Sequence, residues 1–266
     1  MEFDEFLREV APLLGLQWRP FQRRGVKRKV ERRMTEIGVS NFEEYLLKIR
    51  KDPGEQRNLS QILAVTIPRF FRDKEVFQTI GQSILPVLLK EEDKEELRIW
   101  SIGCASGEEP YSLLLLWKEG FESAWPMICF SIVATDIDEH MLARAKEGKF
   151  KKSSLKEVPE RIVRSFFSTE NDFYLLDGTI REGIEFKQHD LLREEPFLGM
   201  DMVFCRNLAF TYFSKGSQID VLKKIAISLK ENGYLVIGKD ESIPLTYPTL
   251  FVPVFPTEKI YEKFTK

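Results

Sequence analysis

One stretch constrains this chain more than any other: Arg98 to Ser112, Arg-Ile-Trp-Ser-Ile-Gly-Cys-Ala-Ser-Gly-Glu-Glu-Pro-Tyr-Ser. Arg98 to Ile102 reads as a buried strand and Gly103 to Gly107 as a loop of small residues. Glu108, Glu109 and Pro110 then open an apolar helix through Leu113 to Trp117. A proline near the first helical position sacrifices no hydrogen bond, since its missing N–H would be an orphan there. Strand, glycine loop and helix in that order turn backbone N–H groups toward a ligand beyond the carboxyl end of the strand. Gly103 and Gly107 would let the backbone approach that ligand closely. An ordinary strand-to-helix turn of any α/β protein fits the loop alone as well. A dinucleotide-binding turn asks for G-x-G-x-x-G, whereas Gly103 and Gly107 are spaced G-x-x-x-G, and a P-loop would need its lysine. The next strand decides. Ile128 to Thr135 is apolar and ends in Asp136-Ile-Asp138, and a carboxylate there is placed to accept hydrogen bonds from ribose hydroxyls. The expected ligand is an adenosine-bearing cofactor.

From about residue 98 onward strands and helices alternate. Strands are expected at Arg98–Gly103, Ile128–Asp136, Ile184–Lys187, Met200–Cys205 and Tyr234–Gly238, and helices near 109–120, 138–147 and 214–231. Apolar strands in alternation with helices predict a mostly parallel sheet covered on both faces. Phe251-Val-Pro-Val and Lys259 to Phe264 would supply a hairpin closing the sheet, with the proline confined to its edge. Residues 151–183 interrupt the alternation. Lys156 to Phe167 look helical, and Phe173 to Glu182 read as a hairpin turning at Asp177-Gly178.

Residues 1 to about 90 carry helical periodicity and almost no strand signal. Phe3, Phe6, Leu7, Val10, Leu13 and Leu14 mark a first helix stopped near Gly15. Arg19 to Arg33 then holds eight basic residues and one acidic. Val26, Val30, Met34 and Ile37 form its buried stripe, leaving Arg24, Arg28 and Arg32 on another face. Most charge runs are solvated helix faces. This one lacks acidic partners, so docking of an anionic partner is an equal reading. A third helix starts at Ser40 or Asn41, shows Phe42, Tyr45, Leu46 and Ile49 on its apolar face, and ends at Asp52-Pro-Gly.

With 266 residues, one large domain plus a small one is the natural expectation. No apolar run approaches the roughly 20 residues needed to span a bilayer, so no membrane insertion is expected. The acidic start, Met1-Glu-Phe-Asp-Glu, differs from the basic start of a signal peptide, so no export is expected. Cys104, Cys129 and Cys205 are odd in number and widely spaced, which points to free thiols and a cytoplasmic setting. Two histidines give no metal site, and a net charge of −2 gives no case for nucleic acid.

Four strings carry a resemblance: 102–112, Ala-Thr-Asp-Ile-Asp (134–138), Phe-Cys-Arg-Asn (204–207) and Phe-Phe-Arg-Asp (70–73). In order and spacing the chain resembles the CheR-type chemotaxis methyltransferases from about residue 3 to its end. That resemblance implies a doubly wound, Rossmann-like class I methyltransferase domain, a mostly parallel α/β sheet, over residues 91–266. An N-terminal all-helical docking domain would take residues 1–90, and a small inserted antiparallel β-subdomain would lie near 168–183. Some relatives use that subdomain to grip a peptide tail; the longer glycine-containing loop of that form is missing between Ser168 and Phe173, so tethering is not expected. The implied cofactor is S-adenosyl-L-methionine, leaving as S-adenosyl-L-homocysteine. The implied acceptor is glutamate on an acidic, helical chemoreceptor cytoplasmic domain, and a monomer is expected.

The resemblance also assigns roles. Gly103, Gly107 and Glu108 would pass the methionine part of the cofactor, Asp136 its ribose, Asp190 and Leu191 its adenine. Arg206 and Asn207 would line the methionine end. Thr66 and Pro68 stand where the family has an Asn-x-Thr contact, so two polar contacts are lost. Arg72 would orient the acceptor or the cofactor, and Tyr212 would sit near the transferring methyl or else pack as a core aromatic beside Phe210 and Phe213. One extra residue separates Asn207 from Tyr212, and Gly238-Lys-Asp-Glu241 replaces the usual Gly-His-Ser-Glu. These departures surround the acceptor side, so a small-molecule acceptor, or a non-catalytic cofactor-sensing adaptor, stays open. A glutamate acceptor, with an ordinary pKa near 4.3, is ionised at neutral pH and needs no general base; the motifs contain no histidine.

Overall fold

The computed structural model describes residues 1–17, 25–63, 68–91, 94–246 and 248–264. Four helices come first: α1 (Phe3–Leu13), α2 (Val26–Glu36), α3 (Phe42–Lys51) and α4 (Pro53–Leu63). Each buries one stripe, Phe6, Leu7 and Val10 on α1, Val26, Val30 and Met34 on α2, Tyr45, Leu46 and Ile49 on α3. Gly15, at φ +67°, takes the left-handed conformation that ends α1. Asn41 Oδ1 accepts the Glu44 N–H while Glu44 Oε2 accepts the Ser40 N–H, a reciprocal cap that fixes the start of α3. Asp52 does the same for α4, accepting from the N–H groups of Gly54 and Glu55.

A second helical run, α5 (Lys74–Thr79), a π-turn at Ile80–Ile84 and α6 (Leu85–Leu88), packs on the sheet; its Val76, Phe77, Ile80 and Leu85 share a core with Ile99 and Leu113. The alternating part follows: β1 (Glu96–Ile102), α7 (Glu108–Gly120), β2 (Cys129–Asp136), α8 (Glu139–Glu147), β3 (Lys149–Lys151), α9 (Glu160–Phe166), β4 (Phe167–Glu170), β5 (Phe173–Leu176), α10 (Gly178–Glu182), β6 (Glu185–Gln188), β7 (Met200–Cys205), α11 (Ala209–Tyr212), α12 (Lys215–Ser228), β8 (Leu229–Ile237), β9 (Phe251–Phe255) and β10 (Ile260–Lys263).

The main sheet runs β6-β2-β1-β7-β8-β10-β9. Its first five strands are parallel, and β10 lies antiparallel to β8 and β9. This is a doubly wound, Rossmann-like sheet, mostly parallel as expected. Strand order reverses between β1 and β7, and the crevice beyond their carboxyl ends is where such sheets hold ligands. Both faces are covered: α5 to α8 on one, and α12 with α1 to α4 on the other. Pro253 lies on β9, the edge strand, where a missing N–H disturbs no inner ladder. None of the described helices is long and apolar enough to cross a membrane.

Two local expectations are corrected. The hairpin of the small sheet does not turn at Asp177-Gly178. It turns at Asn171-Asp172, between β4 and β5, with Asn171 at φ +54°. Asp177 instead caps α10 by accepting the Thr179 N–H, the other common use of an Asp-Gly pair. The three-stranded sheet, ordered β3-β5-β4, also recruits Lys149–Lys151 from just after α8. Helix α12 ends at Ser228, earlier than expected, because Leu229 already pairs with Met200 in the sheet.

Candidate functional site

The glycine loop is built on the end of β2. Gly103 and Cys104 donate their N–H groups to the Thr135 carbonyl at 2.7 and 3.0 Å. Ala105, held left-handed at φ +48°, donates to Asp136 Oδ2 at 2.8 Å, and Asp138 N–H reaches Asp136 Oδ1 at 2.9 Å. Each carboxylate oxygen keeps a lone pair for a further donor. Burial pushes the Asp136 carboxyl above its ordinary pKa, and the backbone hydrogen bonds offset this only in part. The glycines differ. A Cβ on Gly103 would stand 2.7 Å from Leu208 Cδ2, and Gly103 borders the site. A Cβ on Gly107 would meet Ala145 and Tyr111 at 3.0 Å, so Gly107, at φ +90°, serves the packing of α7 on α8 and lines neither of the two cavities described below.

A cavity of about 340 Å³ opens beyond the strand ends, within the range of small-molecule and cofactor sites. Gly103, Ala105, Asp136, Asp190, Leu191, Arg206, Asn207 and Tyr212 all border it, and α4 covers it with Arg57, Ser60 and Gln61. Gln61 Nε2 fastens that cover by donating to the Ile137 carbonyl at 3.0 Å. The buried His189 ring also lines it. His189 Nε2 lies 3.0 Å from the Glu195 carbonyl, which can only accept, so Nε2 donates, and Nδ1 is buried with no partner among the described residues. A smaller cavity of about 40 Å³ adjoins the first, sharing Gly103, Ala105, Arg206 and Asn207 and adding Pro68, Arg72 and Glu109.

Between the two cavities lies Arg206. Its Nη1 reaches Glu109 Oε2 at 3.3 Å, and its Nη2 donates to Asp73 Oδ2 and, at 3.1 Å, to the Arg72 carbonyl. Its Nε is buried with no partner among the described residues. The Phe-Phe-Arg-Asp string is therefore clipped to the end of β7. It is also clipped to α7, where Ser112 Oγ accepts the Phe71 N–H at 2.8 Å and donates to the Glu108 carbonyl. Phe71 and Asp73 sit at φ +49° and +58°, a conformation non-glycine residues rarely adopt and one these clips enforce. The Gly-Glu-Glu-Pro-Tyr-Ser string thus reads residue by residue. Glu108 turns inward onto Ser106 Oγ, Glu109 faces Arg206 and Ser101 Oγ, Tyr111 donates to the Ala145 carbonyl, and Ser112 holds the strap.

Glu108 is thus buried against Ser106 and lines neither cavity. Glu109, which sequence reasoning passed over, faces the smaller one. Two adjacent acids in a string give no rule for choosing between them; the rotation of about 100° per helical residue makes the choice. Burial pushes both carboxyls above the ordinary range, with Arg206 and Ser101 offsetting this in part at Glu109. Arg28 and Arg32 are exposed on α2, and Arg32 pairs with Glu36 at 3.1 Å. Arg24 and Thr66 lie outside the described residues. The residues present suit a cationic nucleoside: two carboxylates held above their ordinary pKa, an orphaned guanidinium N–H and an orphaned imidazole nitrogen surround two joined cavities.

A family model described as "CheR methyltransferase, SAM binding domain" matches residues 67–260, and one described as "CheR methyltransferase, all-alpha domain" matches residues 1–63. A chemotaxis protein methyltransferase of Listeria innocua is 30% identical over 238 residues, covering 90% of this chain and 88% of that protein. Chemotaxis protein methyltransferase 1 of Pseudomonas aeruginosa is 33% identical over 224 residues, covering 82% and 81%. An uncharacterized 104.1 kDa protein of Rhodobacter capsulatus is 32% identical over 221 residues; there this chain spans only 23% of its relative's length.

Proposed function

The chain belongs to the CheR methyltransferase family, with S-adenosyl-L-methionine as its cofactor, and from that premise we propose that it forms methyl esters on glutamates of an acidic helical protein, a chemoreceptor cytoplasmic domain. The observation that supports the acceptor reading is that Lys29 of α2 and Arg57 of α4, both exposed, line the large cavity together with Arg193, which pairs with Asp190 at 3.6 Å. A groove between α2 and α4, bordered by Lys29, Arg32 and Gln61, runs into that cavity. Exposed basic side chains of this kind attract carboxylates.

In this reading Asp136 accepts the ribose hydroxyls, while Asp190 and Leu191 flank the adenine. Glu109, Arg206, Asn207 and Arg72 hold the methionine end, with Gly103 giving backbone clearance and Pro68 bordering the smaller cavity. Gly107 and Glu108 act by shaping the start of α7. The cofactor supplies a methyl group on a positively charged sulfur. The protein's own work is to strip water from an acceptor that is already an anion and to hold it in line. Arg72 orients that carboxylate, Tyr212 confines it, and no proton needs to be removed.

Incubation with radiolabelled cofactor and a chemoreceptor cytoplasmic fragment should give a methyl ester that alkali releases as methanol. Label that survives alkali would reject ester chemistry.

A further inference from the structure

The turn that carries Tyr212 is gripped from two sides, by residues to which no role has been given. After β7 the chain passes through Asn207 at φ +56° into the single turn of α11. Glu241, only 4% exposed, reaches in from beyond β8. Its Oε2 accepts the N–H groups of Asn207 at 2.8 Å and of Gly238 at 2.7 Å, and its Oε1 accepts the hydroxyl of Thr211. A Cβ on Gly238 would stand 2.5 Å from Asn207 Nδ2, so the two strand ends close against each other only around a glycine. From the opposite side comes the chain just after α1. Gln17 donates its N–H to the Tyr212 carbonyl at 2.8 Å and its Nε2 to the Thr211 carbonyl at 2.7 Å. Leu16 bridges to Phe213, and Ser214 donates to the Gly15 carbonyl at 2.8 Å.

We propose that Glu241, acting through Thr211, and Gln17 are positioning residues that hold Tyr212 at the cavity and tie the end of α1 to the methyl-transfer site. The residues before Tyr212 wind into α11, and this clamp sets where the tyrosine ends up. The two oxygens of Glu241 divide the work: Oε2 fixes Asn207 at the cofactor's end, and Oε1 fixes α11. Hydrogen bonds to an ionised carboxylate are the strong ones, which suits a clamp on a four-residue helix with no cap of its own. The inference rests on the proposed place of Tyr212 near the acceptor.

The test separates the two oxygens. Thr211→Val removes one hydroxyl and leaves Asn207 bolted. Turnover of S-adenosyl-L-methionine with the receptor fragment should fall roughly 10- to 100-fold, the scale of an ångström-sized misplacement, with affinity for S-adenosyl-L-homocysteine unchanged. Thr211→Ser should restore turnover. Gln17→Ala should act in the same direction. Asp201→Asn serves as the control. That equally buried carboxylate accepts the Arg98 N–H at the far end of the sheet, so its loss should lower thermal stability and leave turnover alone. A readout independent of the acceptor is hydrogen exchange in the S-adenosyl-L-homocysteine complex, where the Tyr212 and Phe213 amides, bonded to the Leu208 and Ala209 carbonyls, should exchange faster in Thr211→Val and not in Asp201→Asn. Wild-type exchange in Thr211→Val would overturn the clamp. If the wild type fails to methylate the fragment, the acceptor reading falls while exchange still decides the clamp; if Tyr212→Phe turns over normally, the tyrosine's role falls instead.

Discussion

Of this molecule's buried carboxylates, those of the helical region and those around the cofactor cavity behave in opposite ways. In the helical region Glu55 is 3% exposed. It accepts from Arg33 Nε at 3.0 Å and Nη2 at 2.7 Å, from the Tyr45 hydroxyl at 2.6 Å and from Asn58 Nδ2 at 3.2 Å. Burial alone would push its pKa up; these bonds outweigh burial and hold the carboxyl below the ordinary value. At the cofactor cavity burial wins, and Glu109 and Asp136 stand above theirs, as does Glu108, which is buried against Ser106 and lines neither cavity. Glu109 shares its cation, Arg206, with Asp73, and Asp136 meets only backbone N–H groups. The difference teaches how to tell a structural acid from a site acid. The first has its lone pairs filled by its own protein; the second is left short of positive charge, which a cationic ligand then supplies.

The sharpest way to break this comparison is to remove one acid from each region. Glu55→Ala strands a partly buried guanidinium and a buried tyrosine hydroxyl and should lower unfolding free energy by about 3 kcal/mol, read by urea denaturation, while affinity for S-adenosyl-L-homocysteine stays at the wild-type value. Asp136→Asn should do the reverse. Unfolding free energy should change little, since the amide oxygen can still accept one backbone N–H. Affinity should fall roughly 10- to 100-fold, the worth of one or two hydrogen bonds to a charged acceptor, measured by calorimetry. If Glu55→Ala abolished cofactor binding in the folded protein, the division between the regions would be wrong.

Part of this was readable from sequence, and the reason is locality. The strand, loop and helix around Gly103, the Asp136 that ends the next strand and the Asn41 cap each depend on residues a few positions apart. Pro253 on an edge strand was legible for the same reason. What escaped depends on distance or on rotation. Glu241 lies 34 residues from the Asn207 N–H it accepts, and no period in the sequence joins them. That Gly107 also lets α7 pack closely on α8 depends on Ala145, on another helix, which no local pattern in the sequence places beside it. At Asp177-Gly178 one dipeptide suits a hairpin and a helix cap equally, and the four-residue strand Phe173–Leu176 ends just before it.

The pH dependence of the two regions should differ in sign. Glu55, lowered in the folded state, contributes stability above its unfolded pKa, and that contribution is lost as pH falls through the folded value. Glu109 and Asp136, raised in the folded state, bind protons more tightly folded than unfolded. They therefore cost stability as pH rises from their unfolded pKa through the raised one. The cofactor's positive charge favours their ionised forms, so binding should release protons. Affinity should weaken by up to about tenfold per pH unit per group below the raised pKa. Calorimetry in buffers of different ionisation enthalpy reads the proton count directly. A count of zero at every pH above the ordinary carboxylate range would remove the site acids from cofactor binding.

The smallest expected effect lies in the helical region but away from Glu55, on the exposed face of α2. Arg33 of that helix is committed to Glu55, whereas Arg28 and Arg32 point to solvent, Arg32 with only the exposed Glu36 beside it. Exposed charges contribute little individually, so Arg28→Glu with Arg32→Glu should raise KM for a receptor fragment about two- to fivefold. Affinity for the cofactor should be untouched, because neither residue borders the main cavity. The increase should shrink as salt is added, since a docking surface of this kind acts across a Debye length of roughly 10 Å at 0.1 M. A KM that does not move at low salt assigns this face to solvent. The attraction for an acidic acceptor would then belong to Lys29, Arg57 and Arg193 at the cavity rim, where a carboxylate is drawn in only after the partner has already arrived.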